Sequence, residues 1–203
     1  MNSRPLIIYI HGFLSSAKAS KAQLIDDFIQ DRQLDVDFLR PDLACYPLAA
    51  IEQLNQLISQ YSNRPVCLVG SSLGGFYARY LALQWQVTSV MINPAIRPYE
   101  LMHHYLGVNE NPYTGEQFTL TPTHMNDLKS LAVNPGPAFD RTLVLIQTAD
   151  EVLNAIEASN YYCGASCWIE SGGDHQFQGF ERYLAPVFDW IFSHQAPKAH
   201  VSQ

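Results

Sequence analysis

The sequence predicts an α/β protein, with six strands in a doubly wound, mostly parallel sheet and helices on both of its faces. Three observations carry this. Short apolar runs of about five residues alternate with longer runs whose apolar residues recur at helical spacing. That alternation is the pattern of parallel strands joined by crossover helices. One strand-like run, VCLVGSSLGG at 66–75, ends in small residues and passes directly into a helix-period segment. The length, 203 residues of which 47% are hydrophobic, suits one domain, 1–203, with a sizeable core.

The elements follow in order. Residues 6–10 (LIIYI) read as a buried strand, and 20–32 as a helix. Residues 36–40 (VDFLR) form the second strand, and 49–61 a helix with Ile51, Leu54, Leu57 and Ile58 on one face. The third strand is 65–69, followed by a helix over 73–83. The fourth strand is 87–92, the fifth 142–147 (TLVLIQ) and the sixth 166–170, with a short helix at 155–162. A closing helix over 179–193 repeats Phe180, Tyr183, Leu184, Val187, Phe188 and Ile191 at helical spacing. The polar tail, 196–203, is expected to fray. Residues 95–140 break the rhythm. They carry no strand signal and are too long for a structureless loop, so they read as a cap-like insertion with short helices of its own. Its first helix is expected over 98–106, with Pro98 in the first turn and Gly107 as the stop.

Composition excludes several classes. The net charge is −7 and there is no Lys/Arg run, which argues against nucleic acid and anionic membrane surfaces as partners. Four cysteines, at 45, 67, 163 and 167, form no CxxC pair and no metal-ligand spacing, so no metal, no disulfide framework and no cofactor is expected. The N-terminal apolar run of five residues is shorter than a signal peptide's core, about 7–15 residues, or a membrane span of about 20. A soluble cytoplasmic protein without membrane insertion is the expectation. Oligomeric state stays open.

The chemistry-bearing residues begin with Gly70-Ser71-Ser72-Leu73-Gly74, a G-x-S-x-G match between a strand and a helix. A serine at such an apex takes a strained backbone, and its neighbours two positions either side must nearly vanish, as Gly70 and Gly74 do. The competing reading is a structural turn with helix-capping serines. A hydroxyl nucleophile needs a base. Of seven histidines, His175 in Gly172-Gly173-Asp174-His175, just past the sixth strand and before the last helix, is the best placed. His103 and His104 fall on the insertion helix, His124 in a loop, and His194 and His200 near the tail. Asp150 and Glu151, after the fifth strand, are candidates to orient the base, while Asp174 reads as a solvated loop acid.

With His11-Gly12-Phe13 after the first strand, the chain resembles the α/β-hydrolases. The resemblance implies the strand order 2-1-3-4-5-6 and an oxyanion hole from the N–H groups of Phe13 and Leu73, with His11 supporting the loop. It also selects Asp150 over Glu151, and the order Ser72, Asp150, His175 is the one this fold uses. HGFLSS, GSSLGG, NPAIRPYELMHHYLG and NPYTGEQF together resemble the small bacterial esterases of the YqiA/YcfP type, over residues 6–191. The implied function is a serine hydrolase of small-molecule carboxylic esters or acyl thioesters. An acyltransferase or lyase on the same scaffold, or an idle binding module, are the alternatives. Met102, Tyr105 and Leu106 in the insertion are the candidate acyl-binding residues.

Overall fold

Strands buried on both faces are mostly apolar, and this requirement places the four central strands of the sheet. The computed structural model describes residues 4–137 and 139–195. Its elements are β1 (Leu6–Ile10), α1 (Ser20–Asp31), β2 (Asp37–Leu39), α2 (Pro47–Gln60), β3 (Val66–Ser71), α3 (Leu73–Trp85), β4 (Thr88–Ile92) and α4 (Pro98–Leu101). Then come β5 (Gly107–Glu110), β6 (Gln117–Leu120), α5 (Pro122–Ser130), β7 (Thr142–Gln147), α6 (Ala155–Tyr161), β8 (Ser166–Glu170) and α7 (Leu184–Ser193).

The main sheet runs β2-β1-β3-β4-β7-β8, with every pairing parallel. Counted over its six strands this is the expected order 2-1-3-4-5-6. The period of two along β1 divides its side chains between two cores. Leu6, Ile8 and Ile10 join Leu54, Ala78 and Met91 on one face. Ile7 and Tyr9 join Ile25, Val69 and Phe188 on the other. The chain reverses its direction of growth between β1 and β3, so their carboxyl ends lie side by side, with Ile10 opposite Gly70. Open α/β sheets bind ligands at such a switch point.

The segment between β4 and β7 departs from expectation. It contains a two-stranded antiparallel sheet, β5–β6, where no strand was expected. Phe118 and Leu120 turn inward while Gln117 and Thr119 face out, a strand alternation only four residues long. The hairpin turn is tied by Asn111, whose Oδ1 accepts from the Tyr113 N–H at 2.9 Å, and by Gly115 at φ +73°. The helix expected over 98–106 is a single α turn, α4, followed by a 3₁₀ turn over Met102–Tyr105. His124 lies in the first turn of α5 rather than in a loop, and its Nδ1 accepts from the Thr121 N–H at 3.0 Å. The closing helix also begins as a 3₁₀ turn, Phe180–Tyr183. The expected frayed tail, with His200, lies outside the described residues. Among the described residues no helix is long and apolar enough to cross a membrane.

Candidate active site

The turn between β3 and α3 is held open by what its neighbours lack. Ser72 sits at φ 56°, ψ −121°, a conformation that costs a non-glycine residue about 1–3 kcal/mol. A Cβ at Gly70 would collide with the backbone of Gly74 and Gly75, and one at Gly74 with the carbonyls of Ile10 and His11. Glycine at both positions lets the turn close, and the turn lifts the Ser72 side chain out of the sheet. Ser71 takes the opposite course. It is buried, and it hydrogen-bonds the Tyr9 phenol, which burial holds well above its ordinary pKa.

The loop after β1 packs directly on this turn: a Cβ at Gly12 would stand 3.3 Å from the Ser71 carbonyl oxygen and from the Ser72 Cβ. His11 is buried and shapes that loop. Its Nε2 accepts from the Leu43 N–H at 3.1 Å, which leaves the proton on Nδ1 to donate to the Gly12 carbonyl at 2.9 Å. Burial pushes its pKa below the usual histidine range. Phe13 and Leu73, the two expected oxyanion donors, both line the recess at Ser72.

His175 Nε2 lies 3.0 Å from the Ser72 Oγ, and its Nδ1 lies 2.8 Å from Asp150 Oδ2 and 3.0 Å from Oδ1. A carboxylate only accepts, so Nδ1 carries the proton and the Nε2 lone pair faces the hydroxyl. The Asp150 side chain is 3% exposed, and its Oδ1 also accepts from the N–H groups of Val152 and Leu153 at 2.9 and 2.8 Å. Glu151 does not reach the ring; its Oε2 accepts the backbone N–H of His175 at 3.0 Å. Asp174, expected to be solvated, is partly buried and accepts from Gln178 Nε2 at 2.8 Å.

Three residues that the sequence did not single out hold the His175 loop. Asn93, at φ 39° after β4, donates from Nδ2 to the carbonyls of Asp174 and His175 at 2.9 and 3.3 Å. Its Oδ1 accepts the Gln147 N–H at 2.9 Å. Gln147, fully buried at the end of β7, accepts through Oε1 from the N–H groups of Asp174 and Gln178 and donates from Nε2 to the Gln178 carbonyl. Lys21 donates to the Gln176 carbonyl at 2.8 Å. The available signal was positional: Asn93 and Gln147 are polar residues at the carboxyl ends of core strands.

Two recesses meet at Ser72 and His175. One, about 240 Å³, is apolar and lined by Leu73, Pro98, Leu101, Met102, Tyr105 and Leu153, among others. Leu106 is not part of it and lies exposed. On an α-helix, 102, 105 and 106 would share a face; the 3₁₀ turn keeps 102 above 105 and swings 106 out. The other recess, about 130 Å³, is polar and lies toward α1. A larger cleft of about 670 Å³, near Arg97 and Tyr161, contains none of Ser72, Asp150 and His175.

The profile of the Uncharacterised protein family (UPF0227) matches residues 6–191. This chain is a UPF0227 protein. The UPF0227 chain is 26% identical over 191 residues to YcfP of Escherichia coli O9:H4 strain HS, covering 90% of itself and 96% of YcfP. Among solved structures, it is similar to mouse alpha/beta hydrolase domain-containing protein 10, with a TM-score of 0.72 and 18% identity over 95% of this chain and 91% of that one. It is also similar to Est1E from Butyrivibrio proteoclasticus, with a TM-score of 0.71 and 13% identity over 96% and 89%. The esterase domain of a Rhodothermus marinus protein gives 0.68 and 16% over 96% and 89%. At such identities the likeness is one of fold: this UPF0227 protein has the α/β-hydrolase fold.

Proposed function

We propose that this protein is a serine hydrolase that cleaves carboxylic esters or acyl thioesters through an acyl-enzyme on Ser72. The observation that carries the reading is the unbroken hydrogen-bonded line from Asp150 through His175 to Ser72. The esterase names of its structural neighbours support it.

In this reading Ser72 Oγ attacks the substrate carbonyl as its proton passes to His175 Nε2. Asp150 stabilises the imidazolium and fixes the ring. The negative carbonyl oxygen is received by the N–H groups of Phe13 and Leu73, each such donor being worth about a hundred- to a thousandfold in related chemistry. Collapse breaks the bond to the leaving alcohol or thiol, which takes the proton from His175. Water then gives a proton to His175 and attacks the acyl carbon, and the second collapse returns that proton to Ser72. The sum is ester plus water to acid plus alcohol. Residues 95–140 act as a small cap, with Met102 and Tyr105 against the acyl chain.

A fluorophosphonate probe tests the nucleophile. Ser72→Ala should abolish labelling and Ser71→Ala should retain it; a labelled Ser71 in the wild type would overturn the assignment. A burst of released alcohol followed by turnover that needs no added acceptor separates hydrolysis from acyl transfer.

A further inference from the structure

Lys21 is a buried lysine beside the reacting groups. It lies in the first turn of α1 and is 6% exposed. Among the described residues its one hydrogen bond runs to the Gln176 carbonyl, so two of its three N–H groups remain to be satisfied. A buried ammonium without a close carboxylate is costly. Burial pushes the Lys21 pKa down to about 8, outweighing the fields of Asp174 and Asp150, which act in the opposite direction.

The polar recess explains what such a group is for. Lys21 lines it with Tyr9, Ser15, Ser71 and Tyr113, and it opens on Ser72 and His175. Phe13, Ser72 and His175 are shared with the apolar recess, so the two cavities flank one reacting point. An ester has two halves on either side of its carbonyl carbon. The apolar recess can take an acyl chain and offers nothing to a charge. The half that enters the polar recess meets the ammonium and several hydroxyls.

We propose that the polar recess is the leaving-group site and that Lys21 selects esters whose alcohol half carries an anionic oxygen group, such as a carboxylate or a phosphate. This rests on the hydrolase reading above. An apolar leaving group would seal the ammonium from water with one acceptor. A neutral hydroxyl would add a hydrogen bond and no charge, whereas an anionic oxygen supplies both. A purely structural Lys21, tying down the His175 loop, needs one N–H and no cavity.

The test compares phenyl butanoate with 3-carboxyphenyl butanoate on the full chain. A meta carboxylate changes the leaving ability of the phenol little, so the kcat/KM ratio reports recognition. In the wild type near neutral pH the charged ester should be preferred about tenfold or more, the worth of a charge-assisted hydrogen bond. The preference should fade as Lys21 loses its proton, at or above about pH 8. The other titratable groups facing Lys21 or the recess are Tyr9 from β1, Tyr113 from the hairpin turn, Asp150 after β7, and Asp174 and His175 after β8. What they do to both esters alike cancels in the ratio. Lys21→Met should bring the ratio to about one at every pH. If that variant does not fold, the wild-type pH course decides alone. A wild-type ratio at or below one, a ratio that does not change with pH, or one unchanged in Lys21→Met overturns the proposal. Cleavage of neither ester together with no labelling of Ser72 overturns the hydrolase reading itself.

Discussion

Replacing Asp150 by asparagine isolates one proton. Oδ1 of Asp150 accepts from the N–H groups of Val152 and Leu153. An asparagine must present its carbonyl oxygen there, because an amide nitrogen cannot accept. Its NH₂ then stands in the place of Oδ2, 2.8 Å from His175 Nδ1. Nδ1 can accept from that group only by giving up its proton, so the proton moves to Nε2, which faces the Ser72 Oγ at 3.0 Å. The base is then a donor toward the hydroxyl it should deprotonate. Nothing is lost in packing, and the fold should persist. The same change of tautomer in a related triad costs about ten-thousandfold in kcat, or about 5.4 kcal/mol at 1.36 kcal/mol per factor of ten. The assay is kcat on a 4-nitrophenyl ester, with thermal melting as the control for folding. Glu151→Gln keeps a carbonyl for the His175 N–H, and Asp174→Asn leaves the ring untouched, so each should lose less than about tenfold. A loss below tenfold for Asp150→Asn, or a larger loss for Asp174→Asn, would refute the reasoning.

Further outcomes follow from the same geometry. Each methylene buried in the apolar recess should raise kcat/KM about fourfold, at about 0.8 kcal/mol per methylene, and Met102→Gln should flatten that dependence; equal loss on acetyl and longer esters would make the segment structural. Gly74→Ala should lower stability by about 3 kcal/mol and the melting temperature by about 6–12 °C, because its Cβ meets the Ile10 carbonyl. Gly115→Ala, with φ +73° but open space around it, should cost only about 1 kcal/mol; similar melting temperatures for the two would refute the steric account.

The sheet was legible because its four central strands are buried at every position and are mostly apolar, with the shorter or more exposed β2 and β8 at the edges. The hairpin was not. Val108 in β5 is 78% exposed, and only the short alternation of Phe118 and Leu120 marks its partner strand. Ser72 could be read from the two glycines that sterics demand around it and His175 from its place after the sixth strand, while position alone left Asp150 and Glu151 as candidates and the resemblance to the α/β-hydrolases selected Asp150. Leu106 was misplaced because sequence spacing does not distinguish an α turn from a 3₁₀ turn. Asn93, Gln147 and Lys21 were missed for a different reason. Each satisfies the backbone of a loop far along the chain, 81 residues away for Asn93 and 155 for Lys21. Nothing local in a sequence records such a partner.

The loop that carries His175 is held by side chains borrowed from α1, from the end of β4 and from β7. It therefore has its working shape only once β8 has docked at the edge of the sheet. During synthesis Ser72 emerges 103 residues before His175. A partly made chain holds an ordinary alcohol, with no power to attack an ester. Under the proposed reading the line from Asp150 through His175 to Ser72 is complete only with β8 in place, so ester cleavage during refolding would report the docking of that strand rather than the collapse of the sheet's centre.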